Sequence, residues 1–196
     1  AIFNGLVTAS GTVSLAMGRG ADLVQIAATS GLISTQGDVM IDLGAADGVT
    51  DTLDMRGSIH AANGFVLSDA GLGTSVVTMQ AISLRAGTGG VGMTLSSGAD
   101  TMSLTDVDMT TTGGMSVNLG DGNDTFTQTR GSIAVAAAIV LNGGLGNDSV
   151  LFLAGAMSAS TTTVQLGAGA DYLLLQDMVA LGGETTVLGG AGADTV

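Results

Sequence analysis

Apolar and polar residues alternate along most of the chain, in short runs that glycine-rich turns separate. Alternation with a period of two is typical of strands that turn one face into a core. The runs stand on both sides of a recurring G-x-G-x-D pattern. Examples before the turn are Val117/Leu119 and Ile139/Leu141, and examples after it are Met102/Leu104, Val150/Phe152 and the less regular Phe126/Gln128.

The turns repeat at nearly even spacing along the whole sequence. Six clean copies are GRGADLV (18–24), SSGADTM (96–102), GDGNDTF (120–126), GLGNDSV (144–150), GAGADYL (167–173) and GAGADTV (190–196). Two degraded copies are GLGTSVV (71–77), with Ser75 in place of the aspartate, and DGVTDTL (47–53). The anchor positions are therefore 22, 51, 75, 100, 124, 148, 171 and 194, with steps of 29, 24, 25, 24, 24, 23 and 23 residues.

Repeats of this length predict stacked coils, because each unit is too small to bury its own apolar face. Three short strands fill each unit, and no helix of ordinary length fits between the turns. We predict an all-β fold, a parallel β-helix (β-solenoid) of about eight coils of roughly 24 residues, with one Gly-Asp turn per coil. Residues 1–196 form a single domain in this interpretation.

The composition agrees with a thin, regular core. Hydrophobic residues make up 45% and aromatic residues only 3%, so the chain is neither disordered nor built on aromatic anchors. The net charge is −13; every acid except Glu184 is aspartate, and every basic residue is arginine. This charge argues against nucleic acid and anionic membranes as partners, and it favours cations.

Cysteine is absent, which excludes disulfides and thiolate metal sites. No apolar run approaches the ~20 residues that span a bilayer, so we expect no membrane insertion. The sequence begins without Met and stops in mid-motif at Asp194-Thr195-Val196. We therefore expect a processed form or a segment of a longer protein.

The segments GGLGNDSV (143–150) and GGAGADTV (189–196) resemble the nonapeptide repeat of the RTX and hemolysin-type calcium-binding family. The resemblance implies that glycine carbonyls and the aspartate carboxylate hold Ca²⁺ between the turns of neighbouring coils. The family repeats its motif twice in about 18 residues, whereas this chain has one motif per coil. We therefore expect a calcium column along one edge only, similar to the repeat regions of large bacterial surface-layer and adhesin proteins.

A cation held between two coils needs a good turn from each. The gaps 100/124, 124/148, 148/171 and 171/194 meet this condition, so calcium is expected in the C-terminal half. The resemblance implies as ligands Asp100, Gly120, Gly122, Asp124, Gly144, Gly146, Asp148, Gly167, Gly169, Asp171, Gly190, Gly192 and Asp194. Further candidates are Asp22, Asp47, Asp51 and Asp121, and Asp69 is expected to join Asp47 and Asp51 in an irregular extra site.

A cation-free interpretation stays open at this point. G-x-G-x-D can be a tight turn in which the aspartate caps backbone N–H groups. Seven aspartates in register nevertheless favour calcium, because a bare ladder of carboxylates at coil spacing is repulsive.

The predicted function is that of a structural calcium-binding segment of a secreted bacterial surface protein: a surface layer, an adhesin stalk or an extracellular filament. The expected partners are calcium and a second copy or the neighbouring coils of a larger protein, and the expected location is extracellular or at the cell surface. The alternative is a calcium-dependent polysaccharide-binding or polysaccharide-modifying β-helix, with surface polysaccharide as partner.

Catalysis is not expected from this composition. The chain has no lysine, four separated arginines, one tyrosine, Tyr172, and one histidine, His60, which we expect on an exposed loop. Such a set provides neither a zinc site nor a triad of the usual kind, nor a base flanked by cations.

Overall fold

A computed structural model describes residues 1–44, 47–181 and 183–196 of the chain. Within these ranges the chain is all-β, without a helix, and it winds into a parallel β-solenoid of about eight coils. The predicted fold is thus confirmed. The repeat of roughly 24 residues is also observed, because strands of successive coils pair in register at that spacing.

The strands are short in the first coils and longest in the coils that contain β13, β15 and β17. The first four coils contain β1 (Ile2–Phe3), β2 (Leu6–Ala9), β3 (Val13–Ala16), β4 (Leu23–Ile26), β5 (Gly31–Ser34), β6 (Val39–Asp42), β7 (Thr50–Met55), β8 (Ser58–Ala61), β9 (Gly64–Ser68), β10 (Thr74–Gln80), β11 (Ser83–Ala86) and β12 (Gly90–Thr94). The last four contain β13 (Thr101–Thr111), β14 (Met115–Asp121), β15 (Thr125–Val135), β16 (Ala138–Leu145), β17 (Ser149–Ser158), β18 (Thr161–Ala168), β19 (Tyr172–Leu175), β20 (Met178–Leu181) and β21 (Glu184–Ala191).

The coils stack so that three faces run along the solenoid. The first face follows each anchor position and contains β1, β4, β7, β10, the first parts of β13, β15 and β17, and β19. The second face contains β2, β5, β8, β11, the second parts of the same three long strands, and β20. The third face is the sheet β3-β6-β9-β12-β14-β16-β18-β21. The Gly-Asp turns therefore join the third face of one coil to the first face of the next.

The core consists of ladders of aliphatic side chains. One such ladder on the first face is fully buried and contains Leu53, Val77, Met102, Phe126, Val150 and Leu173. Burying side chains of this size stabilises a fold by about 1.5–3 kcal/mol each. Each coil reaches only its neighbours, so this stabilisation depends on unbroken stacking.

His60 lies on an ordered strand rather than in a loop. It is exposed, as predicted, but it belongs to β8, where it pairs with Ile33 and Arg85 of the adjacent coils. The prediction of a loop was wrong because His60 occupies the outward position of an alternating strand, between the buried Ile59 and Ala61.

Candidate metal-binding site

The anchor positions stack in register along one edge of the solenoid, which we call the turn edge (residues 18–22, 44, 47–51, 69–75, 96–100, 120–124, 143–148, 167–171 and 189–194). Ser75 pairs with Asp51, and the residues after later anchors pair with one another from Thr101 to Thr195. The expectation that the repeated turns share one edge therefore agrees with the strand register.

Glycines of the turn edge form two columns in which coils approach very closely. The eight glycines predicted as ligands all have positive φ, from 102° to 156°. A Cβ on Gly144 would lie 1.6 Å from the carbonyl oxygen of Gly120, and a Cβ on Gly146 would lie 1.7 Å from that of Gly122. The backbone geometry alone therefore requires glycine at these positions, with or without a cation.

Aspartates of the turn edge form a ladder of hydrogen bonds between coils. The backbone N–H of each anchor donates to Oδ1 of the next anchor: Asp100 to Asp124 at 2.7 Å, Asp124 to Asp148 at 2.9 Å, Asp148 to Asp171 at 2.8 Å and Asp171 to Asp194 at 3.2 Å. One oxygen of each carboxylate thus caps a backbone donor, as the cation-free interpretation expects.

The second carboxylate oxygen, Oδ2, differs from Oδ1 in having no hydrogen-bond donor in the described part of the chain at three of these aspartates. Oδ2 of Asp124, Asp148 and Asp171 is buried and has no hydrogen-bond partner among the described residues, and the side chains are 1–2% exposed. Near Asp148 a Cβ placed on Gly143 would lie 2.6 Å from this oxygen and 2.2 Å from the carbonyl oxygen of Leu166. Two acceptor oxygens therefore face one small space that no donor in this part of the chain fills.

Burial also changes the ionisation of the ladder. Desolvation raises the pKa of Asp124 to about 7, helped by the negative charges of Asp100, Asp148 and Asp121 and opposed by the hydrogen bond from the Asp100 N–H. Desolvation likewise raises the pKa of Asp100 and of Asp148. A buried carboxylate with a raised pKa gains from any positive charge. At Asp100, hydrogen bonds from Ser75 and Ser96 oppose the effect of burial on the pKa without cancelling it.

Asp100 differs from Asp124, Asp148 and Asp171 in its hydrogen bonds. Ser96 Oγ lies 2.7 and 2.9 Å from its two carboxylate oxygens, and the N–H of Ser75 donates to its Oδ1 at 2.5 Å. Ser75 Oγ in turn donates to Oδ2 of Asp69 at 2.8 Å, while the N–H of Gly71 donates to Oδ1. The carboxylates of Asp69 and Asp100, which lie in adjacent turns, therefore have partners for both oxygens.

Other predicted candidates occupy different environments. Asp22 donates its N–H to Asp51 Oδ1 at 2.8 Å, and its own Oδ2 has no partner within the described ranges. Asp47 accepts the N–H of Gly20. Asp121 is exposed at the end of β14 and contributes only repulsion to Asp124.

The expected extra site of Asp47, Asp51 and Asp69 is not seen. Over residues 1–44, 47–181 and 183–196, no group of three or more His, Asp or Glu side chains is placed to hold a metal ion. Asp69 instead bonds to Gly71 and Ser75 in the following turn. Any cation on the turn edge would consequently be held by few carboxylate oxygens and mainly by backbone carbonyls.

The features required by the polysaccharide alternative are scattered. Phe65, Phe126 and Phe152 are buried, whereas Tyr172 is 41% exposed. Arg130 forms a two-point ion pair with Asp106 on the outside of the solenoid. No specific observation therefore favours an aromatic sugar platform or an arginine cluster within the part of the chain that the structure describes.

Comparisons with known proteins add no relative: no protein-family model, no curated protein and no solved structure matches the chain. Among the residues described, no helix is long and apolar enough to cross a membrane.

Proposed function

We propose that the chain is a calcium-binding structural segment, and that calcium binds along the turn edge beside Asp124, Asp148 and Asp171. The observation that carries the proposal is the buried second oxygen of each of these carboxylates, which has no donor among the described residues. A buried polar atom left without a partner costs about 1–3 kcal/mol, and more when it is charged. A cation at each turn would remove this cost.

The chemistry of the available donors suits calcium. They are a carboxylate oxygen and backbone carbonyl oxygens of the turns, for example Asp148 Oδ2 and Leu166 O, which lie 2.6 and 2.2 Å from a Cβ placed on Gly143. Hard oxygen ligands in flexible number and geometry are what Ca²⁺ accepts, while Mg²⁺ requires a tighter octahedron and keeps its waters. Cysteine is absent and His60 lies on β8, away from the turn edge, which removes the ligands that zinc prefers.

We further propose that the segment serves as a rigid scaffold in a secreted bacterial surface protein. Regular coils that contact only their neighbours make a stiff body, and a net charge of −13 matches a role that depends on cations. The outer strands of the first and last coils present backbone groups to which further coils or a second copy can add. The proposed partners are therefore calcium and β-strand edges of the same architecture.

The competing hypothesis is that the turns are purely structural. It is favoured by the Oδ1 ladder, in which each carboxylate already has a backbone donor. Under the calcium hypothesis Oδ2 of each carboxylate binds a cation, so chelation should destabilise the fold. Under the purely structural hypothesis Oδ2 binds nothing, so chelation should have no effect.

Circular dichroism, light scattering and calcium titration with and without EGTA test the proposal, with magnesium as the matched control. We expect saturable calcium binding, a higher melting temperature with calcium than with magnesium, and loss of β-structure or stability on chelation. An unchanged spectrum and melting temperature in EGTA, together with no bound calcium, would overturn it. Loss of particle size with retained fold would instead assign calcium to assembly.

A further inference from the structure

The two adjacent turns that contain Ser75 (69–75) and Ser96 (96–100) differ chemically from the turns on their C-terminal side. At Asp124, Asp148 and Asp171 the second carboxylate oxygen is without a donor among the described residues. At Asp69 and Asp100 every carboxylate oxygen lies within hydrogen-bond distance of a hydroxyl or an N–H. This difference coincides with the two positions at which serine replaces a residue of the repeat: Ser75 for the aspartate and Ser96 for the first glycine.

The hydroxyl of Ser96 lies among oxygens of the kind that a cation would bind. Its Oγ is 2.7 and 2.9 Å from the Asp100 carboxylate oxygens and 2.8 Å from the carbonyl oxygen of Gly73 in the preceding turn. It is also 3.2 Å from Ser75 Oγ, and both serines are buried. A carboxylate and a glycine carbonyl of adjacent coils are the ligands that the proposed calcium sites use further along the edge.

We propose that Ser75 and Ser96 form a hydroxyl clasp that takes the place of a cation between the adjacent turns of Asp69 and Asp100. This inference rests on the proposed function. Calcium then binds the turns C-terminal to the clasp but not the clasp itself, and the middle of the solenoid is held together without metal. The clasp thus interrupts the calcium column, so that calcium depletion weakens the coils C-terminal to it and leaves the clasp itself unchanged.

Serine hydroxyls can replace a cation because they stabilise a carboxylate by donating hydrogen bonds to it. Ser75 Oγ donates to Asp69, and Ser96 Oγ donates to Asp100. Hydrogen bonds to a carboxylate favour its charged form, as a nearby cation does. Ser75 also removes one of the acids that would otherwise stack between Asp51 and Asp100.

A gain-of-site variant tests the clasp. Ser75→Asp combined with Ser96→Gly restores both consensus positions, and we expect native mass spectrometry to count one more bound calcium than in the wild-type protein. The control combines Ser10→Gly with Ser116→Asp, two exposed positions outside the turn edge with the same change of composition, and should leave the count unchanged. A nonzero count that is equal in the wild type and the gain-of-site variant overturns the clasp alone. A wild-type count of zero overturns the proposed function, and the clasp with it.

Hydrogen exchange of the wild-type protein gives a second test that does not depend on a variant folding. The N–H of Ser75 donates to Asp100 inside the clasp, and the N–H of Asp124 donates to Asp148 beyond it. We expect EGTA to accelerate exchange at Asp124 at least about tenfold while exchange at Ser75 stays nearly constant. Equal acceleration at both amides, or calcium found crystallographically at Ser96, would overturn the clasp.

Discussion

Each glycine in the two columns of the turn edge satisfies two conditions at once. Gly144 has a φ of 120°, which L side chains rarely adopt, and its missing Cβ leaves room for the carbonyl oxygen of Gly120. The close approach brings carbonyl oxygens of successive coils into line, so the same residue that permits the stacking also presents the oxygens. Glycine at these positions is therefore no evidence for calcium by itself.

Replacing Gly144 by alanine should destabilise the solenoid strongly. A Cβ there would meet the Gly120 carbonyl at 1.6 Å, so the coils must separate and the backbone must carry a strained φ. We expect a loss of about 2–5 kcal/mol in the free energy of unfolding, measured by urea denaturation in calcium. The control is Gly92→Ala on the third face, where a Cβ meets nothing within 4 Å. Equal effects of the two substitutions would contradict this explanation.

The two oxygens of Asp148 should prove separable by mutation. Asparagine keeps an oxygen to accept the Asp124 N–H and offers its amide group to the space shared with the Leu166 carbonyl. In EGTA at pH 8 we expect Asp148→Asn to melt no lower than the wild type, because a buried, uncompensated charge is removed. In calcium it should bind one ion fewer and gain less stability.

The matched control for Asp148→Asn is Asp108→Asn, which removes an exposed acid on the second face and should change neither calcium binding nor stability. A similar loss of stability for Asp148→Asn in EGTA and in calcium would show that its carboxylate acts only as a backbone cap.

The inward positions of the strands vary more from coil to coil than the residues of the turns, and Gln128 of β15 is an example. Its side chain is fully buried in a ladder position that Leu104 and Phe152 occupy in the adjacent coils. Its Nε2 donates to the carbonyl of Arg130 at 2.8 Å, but its Oε1 has no partner among the described residues. The pairing of β15 with β17 shifts register directly after this residue. The Gln128 amide therefore lies where the register of β15 against β17 changes, between the first and the second face.

We expect Gln128→Leu to stabilise the protein by about 1 kcal/mol, because it removes a buried acceptor without a donor and continues an apolar ladder. Chemical denaturation measures the change, with Gln165→Leu, an exposed position of β18, as the control. A loss of more than about 1 kcal/mol would indicate that the amide is satisfied, for instance by a buried water, and that the bend depends on its bond to Arg130.

The elements that the sequence predicts best are those that repeat. Coil length, parallel stacking and the common edge all follow from anchors at even steps, because one shift in register would turn apolar residues outward. The three short strands predicted for each coil are not found in the coils of β13, β15 and β17, where one long strand serves two faces. The contacts of the site follow less directly. Ser75 reads as a degraded anchor, yet its hydroxyl lies in a network with Ser96, which is 21 residues away. The predicted grouping of Asp69 with Asp47 and Asp51 fails because spacing alone does not show to which coil a side chain bonds, and Asp69 bonds to Gly71 and Ser75.

At the scale of the whole molecule, the carboxylate ladder makes stability depend on protons and on calcium in opposite ways. Burial raises the pKa of Asp124 to about 7 and raises the pKa of Asp51, Asp100 and Asp148. In the unfolded chain these groups titrate near their ordinary value, about 3.9. Between these values the folded state binds more protons than the unfolded state, so the free energy of unfolding falls as the pH rises.

In EGTA, the contribution of these carboxylates should therefore be greatest at or below about pH 4, and the melting temperature should decrease by at least about 3 °C between pH 4 and pH 8. With calcium at millimolar concentration the slope should reverse over pH 5–8, because protons and calcium compete for the same oxygens. Repulsion within a chain of net charge −13 also lowers the melting temperature as the pH rises in EGTA. The pH series is therefore run in 0.3 M NaCl, where the Debye length is about 6 Å and this repulsion is screened.

Asp124→Asn separates the ladder from the net charge. It should flatten the slope of melting temperature against pH in EGTA, since the most perturbed carboxylate is gone, whereas Asp108→Asn removes the same charge from the surface and should leave the slope intact. A slope of the same sign with and without calcium would show that the cation does not bind the buried carboxylates. The edge would then be a ladder of partly protonated aspartates, stable in acid and weakened above neutral pH, with any bound calcium acting at the surface alone.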